Sequence, residues 1–144
     1  MKLQKATRCA LYAVLELASN PEHQLSASEI ALKFDISTNH LAKVLRTLGR
    51  AGLVEAVRGA GGGYRFSGNP KRTTLFDVIE LFESIDALSA GEREAGDATD
   101  EGRALGRVLH EIEDTARATL NSITLATMLK LISRGNLHLI KAAE

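Results

Sequence analysis

Six residues, Arg58-Gly59-Ala60-Gly61-Gly62-Gly63, constrain the fold of this chain more than any other stretch. They join two short runs suited to strands, Leu53-Val54-Glu55-Ala56-Val57 and Tyr64-Arg65-Phe66. Glycine enters positive-φ turns without steric cost, so this spacing predicts a hairpin with a glycine-rich tip. A phosphate-cradling loop uses the same residue type. Here, however, no Gly-Lys-Ser/Thr follows and no strand–loop–helix dinucleotide unit surrounds the glycines.

Three helices are expected ahead of the hairpin. Over 4–19, Leu11, Val14, Leu15 and Ala18 recur at helical spacing, with Ala10, Ala13 and Leu17 widening the stripe, and Asn20-Pro21 ends it. Ser26-Ala27-Ser28-Glu29 has the form of a capping box, and the short helix it opens carries Ile30, Ala31 and Phe34. After Asp35 and Ile36, Ser37-Thr38-Asn39 is a second cluster of capping residues. A helix over 38–51 follows, with Leu41, Val44, Leu45 and Leu48 on one face. Asn39, Lys43, Arg46 and Arg50 are turned elsewhere, and Gly52 closes the helix. Beyond the hairpin and Asn69-Pro70, Thr73 or Thr74 is expected to cap a helix with Leu75, Val78, Ile79 and Phe82 inward.

The second half differs in character. Residues 84–102 are acidic, rich in Gly and Ala and weakly periodic, which predicts a loop. Leu105, Leu109, Ile112, Ala116, Thr119, Ile123 and Ala126 then fall at alternating steps of four and three, a heptad seam. That seam predicts a self-association helix over 103–134, against the simpler alternative of a helix docked on its own domain. Gly135 is expected to end it, leaving a tail over 135–144 with apolar residues from Leu137 to Ile140. The chain thus divides into a unit over 1–83, the acidic loop 84–102, the helix 103–134 and the tail.

With 44% apolar and 25% charged residues, the 144-residue chain is composed like an ordinary globular protein. Its net charge of zero hides an asymmetry: residues 1–72 hold 11 Lys and Arg against 5 Asp and Glu, and residues 73–144 hold 7 against 13. Between 38 and 72, Lys43, Arg46, Arg50, Arg58, Arg65, Lys71 and Arg72 face Glu55 alone. A basic half joined to an acidic one suits a polyanion-binding module carrying an element that avoids polyanions. No apolar run approaches the roughly 20 residues of a membrane span, and the first residues lack a secretory signal core, so a cytoplasmic location is expected. The single cysteine, Cys9, allows no disulfide within the chain and no CxxC knuckle. No Ser–His–Asp, HExxH, P-loop or paired-carboxylate arrangement is present, so an enzyme is not expected.

Helix, tight turn, longer helix and two-stranded wing make the expected fold mainly α with a small β wing. This is a winged helix-turn-helix followed by a long dimerisation helix. Asp35 stands where the turn needs a left-handed residue, which Asp tolerates, and Ile36 plugs the turn. In that geometry the start of the second helix enters the major groove of double-stranded DNA. The candidate contacts there are Ser37, Thr38, Asn39, His40, Ala42 and Lys43. Asn39 suits adenine and Lys43 guanine, while Arg46 and Arg50 are placed for phosphates. Gly61 and Gly62 would bring wing backbone against the duplex, with Arg58 reaching the minor groove. Two copies related by a two-fold axis predict a pseudo-palindromic operator.

VRGAGGGYRF (57–66) after ISTNHLAKVLRTLGRAGLV (36–54), with MKLQKATRCALYAVLELA at the start and ITLATML (123–129) near the end, resembles the Rrf2 family. These are bacterial dimeric winged-helix regulators of the IscR, NsrR and CymR type. The resemblance implies that Thr38, Asn39, His40, Ala42 and Lys43 occupy base-reading positions, with Arg58, Gly61 and Gly62 on the wing. It also implies a homodimer, most simply a repressor, in which the long helix crosses its partner's copy. Ala42 departs from the acidic residue that some members carry there.

Many members hold an iron–sulfur cluster with three cysteines between the winged domain and the dimer helix. Residues 84–106 contain none. Carboxylates are a poor match for soft iron–sulfur centres, so no cofactor and no metal ligand is expected. Cys9, beside Arg8, is the remaining redox candidate, against the plainer reading of a small buried apolar residue facing Ala13. His110 is read as a solvated helix residue. A second functional reading is a scaffold or cluster-free regulator whose DNA binding depends on a regulatory protein held by the acidic half.

Overall fold

The computed structural model describes residues 2–88 and 92–143. Helices α1 (Lys5–Ser19), α2 (Ala27–Phe34) and α3 (Thr38–Arg50) are followed by the hairpin β1 (Val54–Val57) and β2 (Gly63–Phe66). The short helix α4 (Leu75–Ile79) leads into a 3₁₀ turn over Ile85–Leu88, and α5 (Asp100–Ser122) and α6 (Leu125–Ala143) complete the chain.

Helix α1 is the hub of the core. Ala10, Ala13, Val14 and Leu17 are almost wholly enclosed, whereas Leu11 and Leu15 lie at the edge of the cluster. The alanines keep that face shallow, which lets α3 approach closely with Leu41, Val44, Leu45 and Leu48. Ile30 and Ala31 of α2 and Val54 and Phe66 of the hairpin close the cluster.

The caps follow from the residues. Ser26 accepts from the Glu29 N–H at 3.1 Å while the Glu29 carboxylate accepts from the Ser26 N–H at 3.2 Å, a complete capping box. Asp35 adopts φ 53° and ψ 51° at the end of α2, the left-handed conformation the turn requires. Ser37 opens α3 by accepting from the His40 N–H at 3.0 Å. Thr74, not Thr73, caps α4, in a second capping box with Asp77.

The C-terminal part departs from expectation in three ways. First, the long helix begins at Asp100 rather than 103, because Thr99 accepts from the Gly102 N–H at 3.0 Å and so caps it. Second, the helix is interrupted. Ile123 and Thr124 leave the helical conformation, Thr124 caps α6 by accepting from the Thr127 N–H at 3.1 Å, and Thr124 pairs with Thr74 in an antiparallel bridge. The heptad spacing runs through this break, but backbone bonds to the winged domain outcompete helix continuation. Leu75 N–H donates to Ile123 O (2.9 Å), Leu125 N–H to Thr73 O (2.9 Å) and Ala126 N–H to Pro70 O (2.8 Å). Third, α6 passes through Gly135 to Ala143, so the expected tail is helical to that point. A helix-interior glycine costs only about 1 kcal/mol, and Gly135 is not in the left-handed conformation that would end a helix. Residues 89–91 of the expected loop, and Glu144, lie outside the described residues.

Candidate nucleic-acid interface

Helix α3 presents one outward row. Leu41, Val44, Leu45 and Leu48 are fixed inward, which turns Asn39, Lys43, Arg46 and Arg50 to the opposite side, all exposed, at spacings of four, three and four. Ser37 and Thr38 are exposed at its N-terminus and Ala42 is half-buried. His40 is also half-buried, with its Nε2 enclosed by protein and without a hydrogen-bond partner among the described residues.

The wing is held to the rest of the domain by contacts that local patterning does not reveal. Val54 and Phe66 pair across the hairpin and are both buried, which roots its base in the core. Further along β2, Leu25 N–H donates to Tyr64 O at 3.0 Å and Tyr64 N–H to Leu25 O at 2.7 Å, so the residue just before the α2 capping box forms an isolated antiparallel bridge to the two-stranded wing. This bridge leaves no room for a side chain at position 63. A Cβ on Gly63 would lie 2.4 Å from the Leu25 carbonyl oxygen. The substitution Gly63→Ala should therefore displace the wing and lower stability by about 1–3 kcal/mol, read as a lower melting temperature. An unchanged melting temperature would mean that the bridge is dispensable.

At the tip, Gly61 has φ +74° and exposed surroundings, and the Gly62 N–H is held by Gly59 O at 2.9 Å. Arg58 is exposed at the start of this tip. Among the described residues, no carboxylate lies within ion-pair distance of Lys43, Arg46, Arg50 or Arg58. Arg65 differs: it faces Glu55 in the cross-strand register and pairs with it, so its charge is neutralised within the hairpin. Unpaired cations on a protruding helix and wing, with a basic local balance, suit a phosphate backbone.

Cys9 lies in the α1 core at 4% exposure. Burial pushes its thiol up from the ordinary value, with Lys5 as a smaller opposing influence. Arg8, its sequence neighbour, instead donates to the Tyr12 hydroxyl at 2.8 Å and stacks over that ring, which itself stacks on Phe34. The thiolate is the reactive form, so the native thiol should react with a maleimide at least about tenfold more slowly than the unfolded chain. Equal rates would place Cys9 on an accessible surface. His110 is exposed on α5, with its Nε2 3.6 Å from Asp114.

A helix-turn-helix with a rooted, glycine-tipped wing and an unpaired basic row defines a winged-helix DNA-binding protein. The comparisons give the family. Residues 3–131 match the model of the Rrf2 family, described as iron-dependent transcriptional regulators, and the chain belongs to that family. A Rhodopseudomonas palustris protein that carries the name HTH-type transcriptional regulator BadM is 58% identical over 132 residues, covering 92% of this chain and 83% of the relative. Among solved structures, CymR, the global cysteine regulator of B. subtilis, superposes with a TM-score of 0.75 at 30% identity, covering 91% of this chain and 98% of that one. T. potens IscR gives 0.72 at 28%, covering 90% and 87%. The chain is thus a DNA-binding transcriptional regulator of winged helix-turn-helix type and not an enzyme. Among the described residues, no helix is long and apolar enough to cross a membrane.

Proposed function

We propose that the chain acts as a homodimer that reads a pseudo-palindromic operator and represses by occupying a promoter, without a three-cysteine iron–sulfur cluster. The observation that carries the reading is the outward row Asn39, Lys43, Arg46 and Arg50 of α3, followed in the chain by a wing with an exposed Arg58 at its tip and its base rooted in the same core. Asn39 and Lys43, nearest the helix start with Ser37 and Thr38, are the base readers in this arrangement. Arg46 and Arg50 hold phosphates, and Arg58, Gly61 and Gly62 meet the minor groove. Ala42 offers only an apolar contact, and His40 is half-buried with its Nε2 covered by protein.

A second copy fits along α5. Leu105, Val108 and Ile112 are 59%, 54% and 51% exposed on its outward side. Val108 and Ile112 line an open groove of about 430 Å³ together with Glu111, Thr115 and Ala116. Apolar rows at three- and four-residue steps bury themselves well against an identical row.

The donor set argues against a cluster of the usual kind. Iron–sulfur irons take thiolate ligands, residues 84–106 supply none, and Cys9 is enclosed in the α1 core with its thiol form favoured. Among the described residues, no group of three His, Cys, Asp or Glu side chains could hold a metal ion. Protein purified without oxygen should be colourless and iron-free, yet retard a duplex it enriches from a randomised library. Visible charge-transfer bands with stoichiometric iron would overturn the cluster-free part. Failure to enrich any duplex would overturn the DNA-reading part.

A further inference from the structure

We infer that Glu83 is a positioning residue for DNA reading: its carboxylate fixes the start of α1, the helix on which α3 is seated, to the segment leading from α4 towards α5. The inference rests on the DNA-reading role proposed above.

Helices α2, α3 and α4 carry their own caps in Ser26, Ser37 and Thr74. Helix α1 does not. Its cap residue is Gln4, whose side chain makes no capping bond, and its first turn holds no acidic residue. The unsatisfied N–H groups of a helix start need an acceptor, and the positive end of the helix dipole favours a carboxylate. Glu83 provides one from 79 residues away. Its Oε2 accepts from the Gln4 N–H at 2.8 Å and from the Thr7 hydroxyl at 2.5 Å. Thr7 is completely buried and Glu83 half-buried, so this anchor reaches from the exposed Gln4 N–H into the fold.

Three residues after Glu83, Asp86 in the 3₁₀ turn pairs with Arg117 of α5, which also holds Asp114 at 2.9 Å. The short segment 83–86 is therefore bonded to α1 at one end and to α5 at the other. Helix α1 in turn carries α3 on its alanine-lined face. A displacement of the acidic segment thus has a route to the reading row through the Glu83 carboxylate, in addition to the backbone bonds that fasten the end of α5. The core contacts of Ala10, Ala13, Val14 and Leu17 hold α1 folded without it. What Glu83 adds is the placement of the helix.

The test uses the full chain, the duplex it enriches from a randomised library, and a scrambled duplex of the same composition. Base-edge contacts demand exact placement, whereas phosphate contacts tolerate small shifts. Glu83→Ala should therefore weaken binding to the enriched duplex about tenfold while changing the scrambled duplex by less than about twofold. Thr7→Val should give part of that loss, and Glu83→Gln, which keeps an acceptor for the Gln4 N–H, should recover most of it. Without DNA, amide exchange over residues 4–8 should be faster in Glu83→Ala than in the original chain, with the same circular dichroism and the same elution volume. The inference is overturned if Glu83→Ala binds both duplexes like the original chain, or loses both in proportion to its unfolded fraction. An original chain that enriches no duplex overturns the DNA-reading proposal, and this role of Glu83 with it. The exchange measurement still reports separately whether the cap exists.

Discussion

Replacing Ile112 with aspartate is expected to leave the chain monomeric in size-exclusion chromatography and to weaken operator binding by about a hundredfold or more. Ile112 sits at the centre of the exposed row Leu105, Val108 and Ile112, beside Thr115 and Ala116. If a second copy packs there, two introduced carboxylates face each other across an apolar seam. Loss of the dimer turns a two-site grip into two independent single-site contacts, and the gain from linkage disappears. The residue is half exposed in the single chain, so the substitution should leave the melting of the isolated fold nearly unchanged. A variant that stays dimeric with full affinity would move the self-association surface away from α5.

The second large effect is expected at the wing and the reading row. Arg58→Ala should reduce affinity for operator and scrambled duplexes alike, by about ten- to a hundredfold at moderate salt. It should also make the log–log salt slope shallower by about 0.9. Arg58 is exposed and unpaired, so its loss uncovers no buried partner and should leave stability within about 0.5 kcal/mol. Asn39→Ala should act differently, costing about 1–3 kcal/mol on the operator and little on scrambled DNA. Asn39 does not cap α3, a role that Ser37 fills, so the two effects separate cleanly. Parallel titrations of both variants on both duplexes check the assignment. An unchanged ratio of the two affinities in Asn39→Ala would remove it as a reader.

The first half of the chain was legible because its signals are local. The Ser26–Glu29 box, the Ser37 cap, the left-handed Asp35 and the glycine-rich connection each depend on residues a few positions apart. The outward direction of Asn39, Lys43, Arg46 and Arg50 follows from the period of the leucines opposite. What escaped depends on partners far along the chain. The α5–α6 break is set by Pro70, Thr73 and Thr74, and only the Thr124-x-x-Thr127 cap hinted at it, inside an intact heptad pattern. The anchoring of the wing by Leu25 and the cap on α1 by Glu83 are pairings that no periodicity encodes. Counting charges gave the local balance but not the pairing: Glu55 meets its cross-strand partner Arg65, which leaves that balance on the other six cations. His40 was expected among the base readers by its place in the helix. Its half-buried ring depends on surrounding packing.

The joint at Ile123 and Thr124 bears on the geometry of an operator. Three backbone hydrogen bonds, two of which form the Thr74–Thr124 bridge, fasten the end of α5 to the winged domain, where a pliable linker could have stood. In a dimer built through α5, the two recognition helices are then the ends of a rigid ruler, with no slack between the symmetry axis and either reading head. One inserted base pair moves a half-site by roughly 3.4 Å and rotates it by about 35° around the duplex. Such a ruler cannot follow that change of phase without stripping Leu125, which is fully enclosed, out of its seat. A regulator of this build tolerates errors in the letters of its site better than errors in the distance between them.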